Sequence, residues 1–228
     1  MRKKVITILI SVVAILMMWF SGHNLRDRGL LLLAFSDYAN MTVINAEEND
    51  SIEVIEEEMI IEQLNSVIYT VHNQESIFCG IKINDTLYHI GQISTIQTPR
   101  ELITIEKVEI FGSNAVKFHG VLGANYAIGY YYVYSGALSD SCLMIEGNLI
   151  ESDLTGDGYN EIIATTGTVG ETSIYIMNKQ IIQVSNINKS VNAVSARLLD
   201  SDSKTFELYF EPDKPKHYIY EDKKLKVR

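Results

Sequence analysis

The chain has only three prolines and two cysteines in 228 residues, and fewer basic than acidic residues. With little proline and 46% hydrophobic residues, the composition argues against disorder over most of the chain and predicts one sizeable core. Nineteen basic and 29 acidic residues give a net charge of −10. Because such a surface repels phosphate backbones, we expect no nucleic-acid partner.

Common catalytic motifs are also missing. The five histidines are scattered and form no His-x-x-x-His or His-Glu-x-x-His pair, which leaves zinc chemistry without support. No Gly-x-Ser-x-Gly elbow occurs, and no glycine-rich segment ends in the Lys-Ser/Thr of a phosphate loop. Paired carboxylates can be chosen anywhere in so acidic a chain, so spacing identifies no glycosidase pair. We therefore expect a protein that is not an enzyme.

The chain opens with a basic and apolar leader. Three basic residues at positions 2–4 precede an apolar run from Val5 to Phe20. This order is typical of a signal peptide or a membrane anchor, and either one predicts export. Because no convincing small-x-small site follows Phe20, we expect residues 1–22 to be an uncleaved membrane helix with the rest of the chain outside the cytoplasm. Cleavage at a late site, Ala34-Phe35-Ser36, would instead give a secreted protein.

A linker, residues 23–50, leads to a short acidic segment. Within residues 51–65 the apolar residues recur at spacings near three and four: Ile52, Ile55, Met59, Ile60 and Leu64. This spacing predicts an amphipathic acidic helix that packs on the body of the protein or on a partner. Its glutamates are typical of a solvated helix face, and an acidic docking tail is the alternative.

Residues 66–228 have the pattern of an all-β domain. Short runs rich in Ile, Val, Tyr and Thr alternate with Gly, Asn, Asp and Ser. A weak repeat places Tyr131, Tyr175 and Ile219 in three predicted strands, each 44 positions from the last, with a fainter copy near Leu87–His89. Since a four-stranded propeller blade has a period of about 40–45 residues, we expect a β-propeller-like body or a partial propeller, with a β-sandwich as the alternative.

One segment, Asp153-Leu-Thr-Gly-Asp-Gly-Tyr-Asn-Glu161, has oxygens spaced to bind a single hard cation. The candidate ligands occupy alternate positions: Asp153, Thr155, Asp157, Tyr159 through its carbonyl, and Glu161. Gly158 permits the sharp turn that such a loop needs. An EF-hand is excluded, because its twelfth position requires a bidentate Glu and is Ala164 here.

The loop and the apolar strand after it resemble the integrin-type FG-GAP and VCBS repeats over Asp153–Met177. The resemblance implies calcium as the cofactor, the same five ligands and a propeller blade. Thr155 departs from the family pattern, which has an acid or amide there, so we expect weak binding. The alternative is an Asp-Gly turn that holds no metal. A related segment, Asp200–Lys204, has lost the glycine and places a lysine where a ligand would be.

The state of the two cysteines and the role of a row of tyrosines each have two possible interpretations. Cys79 and Cys142 can form a disulfide outside the cytoplasm or remain buried thiols. Tyr130, Tyr132 and Tyr134 alternate along one predicted strand and so share a face. Exposed, this row would stack on sugar rings or a peptide; half-buried, it would only cover the sheet.

Together these patterns predict an extracytoplasmic binding module without enzymatic activity, anchored in the membrane or secreted and stabilised by calcium. Its expected partner is a protein or a cell-wall polysaccharide. One alternative is a carbohydrate-binding or carbohydrate-active domain, and another is a structural or assembly component of the cell envelope. The leader and the absence of eukaryotic targeting signals favour a bacterial source.

Overall fold

The computed structural model describes residues 29–47, 51–61, 64–134 and 139–228. In these residues, twenty β-strands and one short helix form four five-stranded antiparallel sheets. The predicted all-β body is thereby confirmed. The predicted membrane helix, residues 1–22, lies outside the described residues, and no helix within them is long and apolar enough to span a membrane.

Four strands that follow one another along the chain make up most of each sheet. Sheet 1 contains β5 (Ile52–Ile61), β6 (Leu64–Val71), β7 (Ser76–Ile83) and β8 (Thr86–Thr95). Sheet 2 contains β9 (Thr104–Ile110), β10 (Ser113–Gly123), β11 (Tyr126–Val133) and β12 (Ser141–Glu146). Sheet 3 contains β13 (Asn148–Ser152), β14 (Glu161–Thr166), β15 (Glu171–Asn178) and β16 (Ile181–Asn186). Sheet 4 contains β17 (Ser195–Asp200), β18 (Thr205–Tyr209), β19 (Pro215–Glu221) and β20 (Lys224–Val227).

Short turns and one helix join these strands. Short turns join most neighbouring strands within a sheet, the longer loop 153–160 joins β13 to β14, and a 3-10 turn, Arg100–Leu102, lies between sheets 1 and 2. The helix α1 (Ile187–Val191) lies between sheets 3 and 4. Asn186 caps α1 by accepting a hydrogen bond from the Lys189 amide, as expected of an Asn at this position.

The N-terminal segment 30–46, here called the belt, adds a fifth strand to every sheet. Its four strands are β1 (Leu30–Leu32), β2 (Ser36–Asp37), β3 (Met41–Val43) and β4 (Asn45–Ala46). They pair antiparallel with β20, β16, β12 and β8, so the belt meets the sheets in the order 4, 3, 2, 1. One edge of each sheet is thereby covered, and its peptide groups find partners.

The belt differs from the linker predicted for residues 23–50. Residues 29–47 of that range are described, and most of them lie in strands. Strands of two or three residues contain too little alternation of apolar and polar side chains to be recognised in the sequence. Their pairing depends on the edges of sheets formed much later in the chain.

The acidic helix predicted for residues 51–65 is wrong, because this segment forms β5 and the start of β6. β5 pairs antiparallel with β6, and its register shifts twice, between Val54 and Glu56 and between Met59 and Ile61. Each shift adds one residue to β5 and changes which face the following side chains occupy. In a strand interrupted in this way the apolar residues lose their strict alternation, and Ile52, Ile55 and Met59 recur at three and four, which imitates the spacing of a helix.

Apolar side chains pack the four sheets face to face in chain order. Between sheets 1 and 2 lie residues such as Ile68, Ile93, Phe118 and Tyr132. Between sheets 2 and 3 lie Tyr131, Ile145, Ile162 and Tyr175. Between sheets 3 and 4 lie Ile163, Ile176, Phe206 and Tyr218. Within the described residues no apolar cluster combines sheet 4 with sheet 1.

The structure agrees with three of the four predicted repeats. Tyr131, Tyr175 and Ile219 lie in β11, β15 and β19, which are the third strands of sheets 2, 3 and 4. The fainter copy at Leu87–His89 lies in β8, the fourth strand of sheet 1, instead of the third. The weak 44-residue period is therefore the spacing of whole sheets.

Candidate functional site: the loop of sheet 3 and its surroundings

The candidate calcium loop connects β13 to β14, the first two strands of sheet 3. Gly156 and Gly158 have φ angles of +78° and +90°, so the chain turns at both in a conformation that side chains with a Cβ rarely adopt. The apolar run after the loop is β14, whose residues 162–164 are buried. The loop is therefore held at the end of a core strand.

Asp153 organises the loop through its backbone amides. Its Oδ1 accepts hydrogen bonds from the amides of Gly156, at 2.6 Å, and Asp157, at 3.1 Å. Its Oδ2 accepts a hydrogen bond from the Gly158 amide at 3.0 Å. A carboxylate has about four lone-pair sites, so Asp153 retains little further acceptor capacity.

Glu161 points into the protein beneath the loop and is only 4% exposed. Its Oε2 accepts hydrogen bonds from the amides of Leu154, at 2.8 Å, and Thr155, at 3.0 Å. Its Oε1 accepts one from the Thr155 hydroxyl at 3.2 Å. Burial raises the pKa of Glu161, although these three donors act in the opposite direction. Glu161 therefore anchors the start of the loop to β14.

Asp157 and Tyr159 lie on the outer side of the loop, and both are exposed. Asp157 Oδ1 accepts a hydrogen bond from the Tyr159 amide at 2.9 Å. The Tyr159 ring lies against Gly112 in the β9–β10 turn, where an added Cβ would be 3.0 Å from the ring. The Asn160 side chain donates a hydrogen bond to the Glu109 carbonyl at 3.1 Å. These contacts fasten the loop to sheet 2.

The five predicted ligands lie in one loop, but their side chains do not converge on one point. No group of three acidic, histidine or cysteine side chains in the described residues is placed to hold a metal. Glu161 uses both oxygens on the loop itself, so in this conformation it does not fit the role of a ligand. Asp153 likewise uses both oxygens, on the amides of Gly156, Asp157 and Gly158. In this conformation Asp157 Oδ2 and the Tyr159 carbonyl are therefore what the loop offers a cation.

A lysine from the neighbouring sheet lies over the loop. Lys204, in the β17–β18 turn, places its Nζ 3.3 Å from the position that a Cβ on Gly156 would occupy. The main chain of this turn is held by hydrogen bonds from the Lys204 amide to the Ser201 carbonyl and from the Tyr220 amide to the Lys204 carbonyl. Burial raises the pKa of Tyr220 to about 12, and the nearby Glu161 carboxylate adds to this effect. Residues of sheet 4 thus lie against one side of the loop.

The predicted tyrosine row is part of the core. Tyr130 and Tyr132 are buried between sheets 1 and 2, and Tyr134 packs against the same cluster. Tyr131, which points the other way, is buried between sheets 2 and 3. The prediction of a row that stacks on a ligand is therefore wrong for Tyr130 and Tyr132. The alternation along the strand was interpreted correctly, but a sheet that is packed on both faces buries both sets of rings.

Cys79 and Cys142 are both buried and both free. Cys79 lies on β7 of sheet 1 and Cys142 on β12 of sheet 2, and the two belong to one apolar cluster. Burial raises the pKa of both thiols. The nearby Cys142 raises the pKa of Cys79 further. Of the two alternatives, a disulfide or two buried thiols, the structure therefore has the thiols.

Sequence reasoning missed a groove where the loops of sheets 3 and 4 meet. A cavity of about 370 Å³ lies between the β14–β15 turn and Ala193–Val194. A second cavity, of about 350 Å³, adjoins it and extends over Arg197 and Tyr209. Val169 and Val194 line both, with 63% and 59% of their surface exposed. Isolated valines in turns give no sequence signal, because only the fold brings them together.

The outer face of sheet 4 is polar, which the sequence did not indicate either. Glu207 is buried there and accepts a hydrogen bond from Arg197 Nε at 2.7 Å. His217 Nε2 lies 3.4 Å from the second Glu207 oxygen. Glu207 thus contacts both Arg197 and His217, and polar side chains of this kind suit a sheet face that is in contact with water.

Geometry and sequence pattern are the only basis for assigning a role. Comparison with protein-family models, with curated proteins and with solved structures finds no match to this chain. The structure defines an all-β protein of four sheets joined by the belt, with an acidic loop on sheet 3 and, between sheets 3 and 4, a groove lined by polar residues and two exposed valines.

Proposed function

We propose that this chain is an extracytoplasmic binding module without catalytic activity, which presents the loops of sheets 3 and 4 to a partner protein. The observation that supports it most directly is the groove, in which Val169 and Val194 are exposed among polar side chains. Transient protein interfaces have such a mixture of apolar and polar surface. The belt supports the same proposal, because it ties all four sheets together and so fixes the loops.

The proposed arrangement is an open, propeller-like one. The first strands β5, β9 and β13 lie beside one another, as blades that radiate from a common axis would place them. The opposite edge of every sheet is covered by the belt. Because the outer face of sheet 4 is polar and no apolar cluster among the described residues connects it with sheet 1, we infer a partial propeller that does not close.

Calcium is proposed to bind at the loop through Asp157, the Tyr159 carbonyl and Asp153, which would exchange an amide hydrogen bond for the metal. Thr155 and Glu161 would support the loop from below. Bound calcium would supply positive charge that holds the two acids and the turn together. Few acidic ligands and exposure to solvent favour the weak end of calcium affinities, about 10⁻⁴ to 10⁻³ M, which suits a site outside the cell.

The calcium proposal is tested by thermal unfolding of the region from Asn24 onward in EDTA and in millimolar calcium. We expect calcium to raise the melting temperature by mass action, and Asp157→Ala to remove that increase. Asp140→Ala, a change at an exposed acid just before β12 of sheet 2, should leave the increase intact. An unchanged calcium response in Asp157→Ala would exclude this loop as the site.

The binding surface is tested by photo-crosslinking of the full-length chain in cells. A photoreactive residue in place of Val194 should give adducts with one or a few extracytoplasmic proteins. The same residue in place of Leu102, which is exposed on the 3-10 turn between sheets 1 and 2, should give none of these adducts. Identical adduct patterns from the two positions would contradict a specific surface on sheets 3 and 4.

The carbohydrate alternative has lost its main support, since Tyr130 and Tyr132 are buried. The envelope-assembly alternative depended on an acidic helix, and this segment is the strand β5. A partner protein at the groove is therefore the function that the geometry favours.

A further inference from the structure

One side chain, that of Asn188 in α1, connects the two turns that carry the exposed valines of the groove. Its Nδ2 donates hydrogen bonds to the carbonyls of Gly170, at 3.1 Å, and Val194, at 3.4 Å. Its Oδ1 accepts a hydrogen bond from the Thr172 amide at 3.0 Å. Asn188 is only 9% exposed, so water competes little for these bonds. The planar amide group therefore fixes Val169 and Val194 relative to each other.

Further hydrogen bonds join the same two turns. The Ala196 amide donates to the Gly170 carbonyl at 2.9 Å, and the Ser195 hydroxyl donates to the Val169 carbonyl. The Thr172 hydroxyl donates to the Ala196 carbonyl at 2.6 Å. A groove whose two walls are bonded in this way is preformed, so binding has a smaller entropic cost of ordering it.

Four charged side chains line the groove, and all but one are paired within the protein. Three have an ion-pair partner no more than 3.5 Å away: Glu171 with Lys189, Arg197 with Glu207, and Glu211 with Lys214. The fourth, Asp213, is exposed and lines the same cavity as both valines. It forms no ion pair with any residue in the described ranges. A basic group is what this position would complement.

We propose that the groove binds a protein segment in which an apolar side chain enters between Val169 and Val194 and a neighbouring lysine or arginine pairs with Asp213. The net charge of −10 attracts such a basic segment before contact is made. Asn188 is the positioning residue of this site, because it holds the two valines at a fixed separation. The inference rests on the proposed binding function and adds the chemistry of the partner.

The partner chemistry is tested by photo-crosslinking of the full-length chain in cells, with the photoreactive residue in place of Thr168. Thr168 is exposed and lines the groove, so both valines are retained. Sequenced adducts should carry the crosslink within a few residues of an aliphatic and a basic residue. Asp213→Lys should lower the adduct yield by at least about tenfold, because like charges then face each other. Asp202→Lys, the same change at an exposed site in the β17–β18 turn of sheet 4, should leave the yield unchanged.

A charge exchange makes this test specific. Replacing the basic residue of the identified partner with aspartate should restore its adduct with Asp213→Lys. Equal yields from Asp213→Lys and Asp202→Lys overturn the inference, while binding at the groove stands. If neither Thr168 nor Val194 gives a specific adduct in the otherwise unchanged chain, the proposed function fails and the inference fails with it.

The positioning role is tested with Asn188→Asp. The new carboxylate still accepts the hydrogen bond of the Thr172 amide, but it presents an oxygen instead of a donor to the carbonyls of Gly170 and Val194. The two turns should then separate, and adducts should fall by at least about tenfold at a temperature where circular dichroism shows the variant folded. Leu31→Ala, which also weakens the packing between sheets 3 and 4, should retain them. Full adduct yield from folded Asn188→Asp would overturn the positioning role.

Discussion

At the scale of single residues, Glu161 shows how a candidate ligand can have another task. Its carboxylate is buried and accepts three hydrogen bonds from Leu154 and Thr155. The spacing of the loop alone cannot separate this role from calcium binding, because an acid at the ninth position suits either one. The direction of the Glu161 side chain separates the two roles, and the burial of β14 sets that direction.

Glu161→Gln should therefore destabilise the protein even without calcium. The amide group of Gln has one acceptor oxygen where the carboxylate has two, so at least one donor of the loop loses its partner. We expect a loss of about 1–3 kcal/mol in the free energy of unfolding, measured by denaturant titration in EDTA. Glu53→Gln, at an exposed site on β5, should change it by less than about 0.5 kcal/mol. Equal effects would refute the anchoring role.

The same residue predicts a pH dependence. Burial raises the pKa of Glu161 in the folded protein, so the folded state binds this proton more tightly than the unfolded state. Its stabilising contribution is complete below the unfolded value, about 4.3, and is lost as pH rises through the folded pKa. Melting temperatures measured in EDTA from about pH 4 upward should show this loss in the unchanged protein. In Glu161→Gln it should be absent, and a parallel decline in both would contradict it.

The thiols give another prediction at this scale. Because Cys79 and Cys142 are buried and their pKa values are raised, both should resist alkylation in the native protein. After unfolding without reductant, mass spectrometry should find both cysteines modified by iodoacetamide. Complete protection after unfolding would show that the protein contains the disulfide instead. Alkylation of the native protein would show that the cluster between sheets 1 and 2 opens readily.

At the scale of elements, the belt is the feature that sequence patterns could not predict. The long strands of residues 66–228 alternate clearly enough to predict an all-β body and even the spacing of its sheets. By contrast, β1 to β4 are two or three residues long, and β5 has two register shifts that disguise its period. The site follows the same division: the loop was predictable from spacing, but Lys204 and the groove depend on contacts between sheets.

The belt strand β1 allows a matched test with two adjacent leucines. Leu31 is 6% exposed and packs between sheets 3 and 4, whereas Leu32 is 50% exposed. Leu31→Ala should lower the free energy of unfolding by about 2–4 kcal/mol, and Leu32→Ala should change it little. Denaturant titration of both variants is the measurement. Similar small losses would mean that β1 is not fixed on sheet 4.

At the scale of the whole molecule, a glycine allows the backbones of two neighbouring sheets to lie in contact. A Cβ on Gly120 of sheet 2 would collide with the backbone carbonyl of Ile93 in sheet 1. A backbone carbonyl cannot rotate away as a side chain can, so the two sheets would have to separate. By contrast, a Cβ on Gly123, three residues along β10, would meet no atom within 4 Å.

This difference gives a test of face-to-face packing of the sheets. Gly120→Ala should cost about 1–3 kcal/mol of unfolding free energy, because overpacking displaces two sheets and the apolar cluster between them. Gly123→Ala should be nearly neutral. In the part of the chain that the structure describes, apolar clusters join each sheet to the next but do not join sheet 4 to sheet 1, so the displacement can spread to the outer faces of sheets 1 and 4. Hydrogen exchange should then increase on both sides of the junction between sheets 1 and 2 in Gly120→Ala. Increased exchange in sheet 2 alone would contradict direct packing of the two sheets.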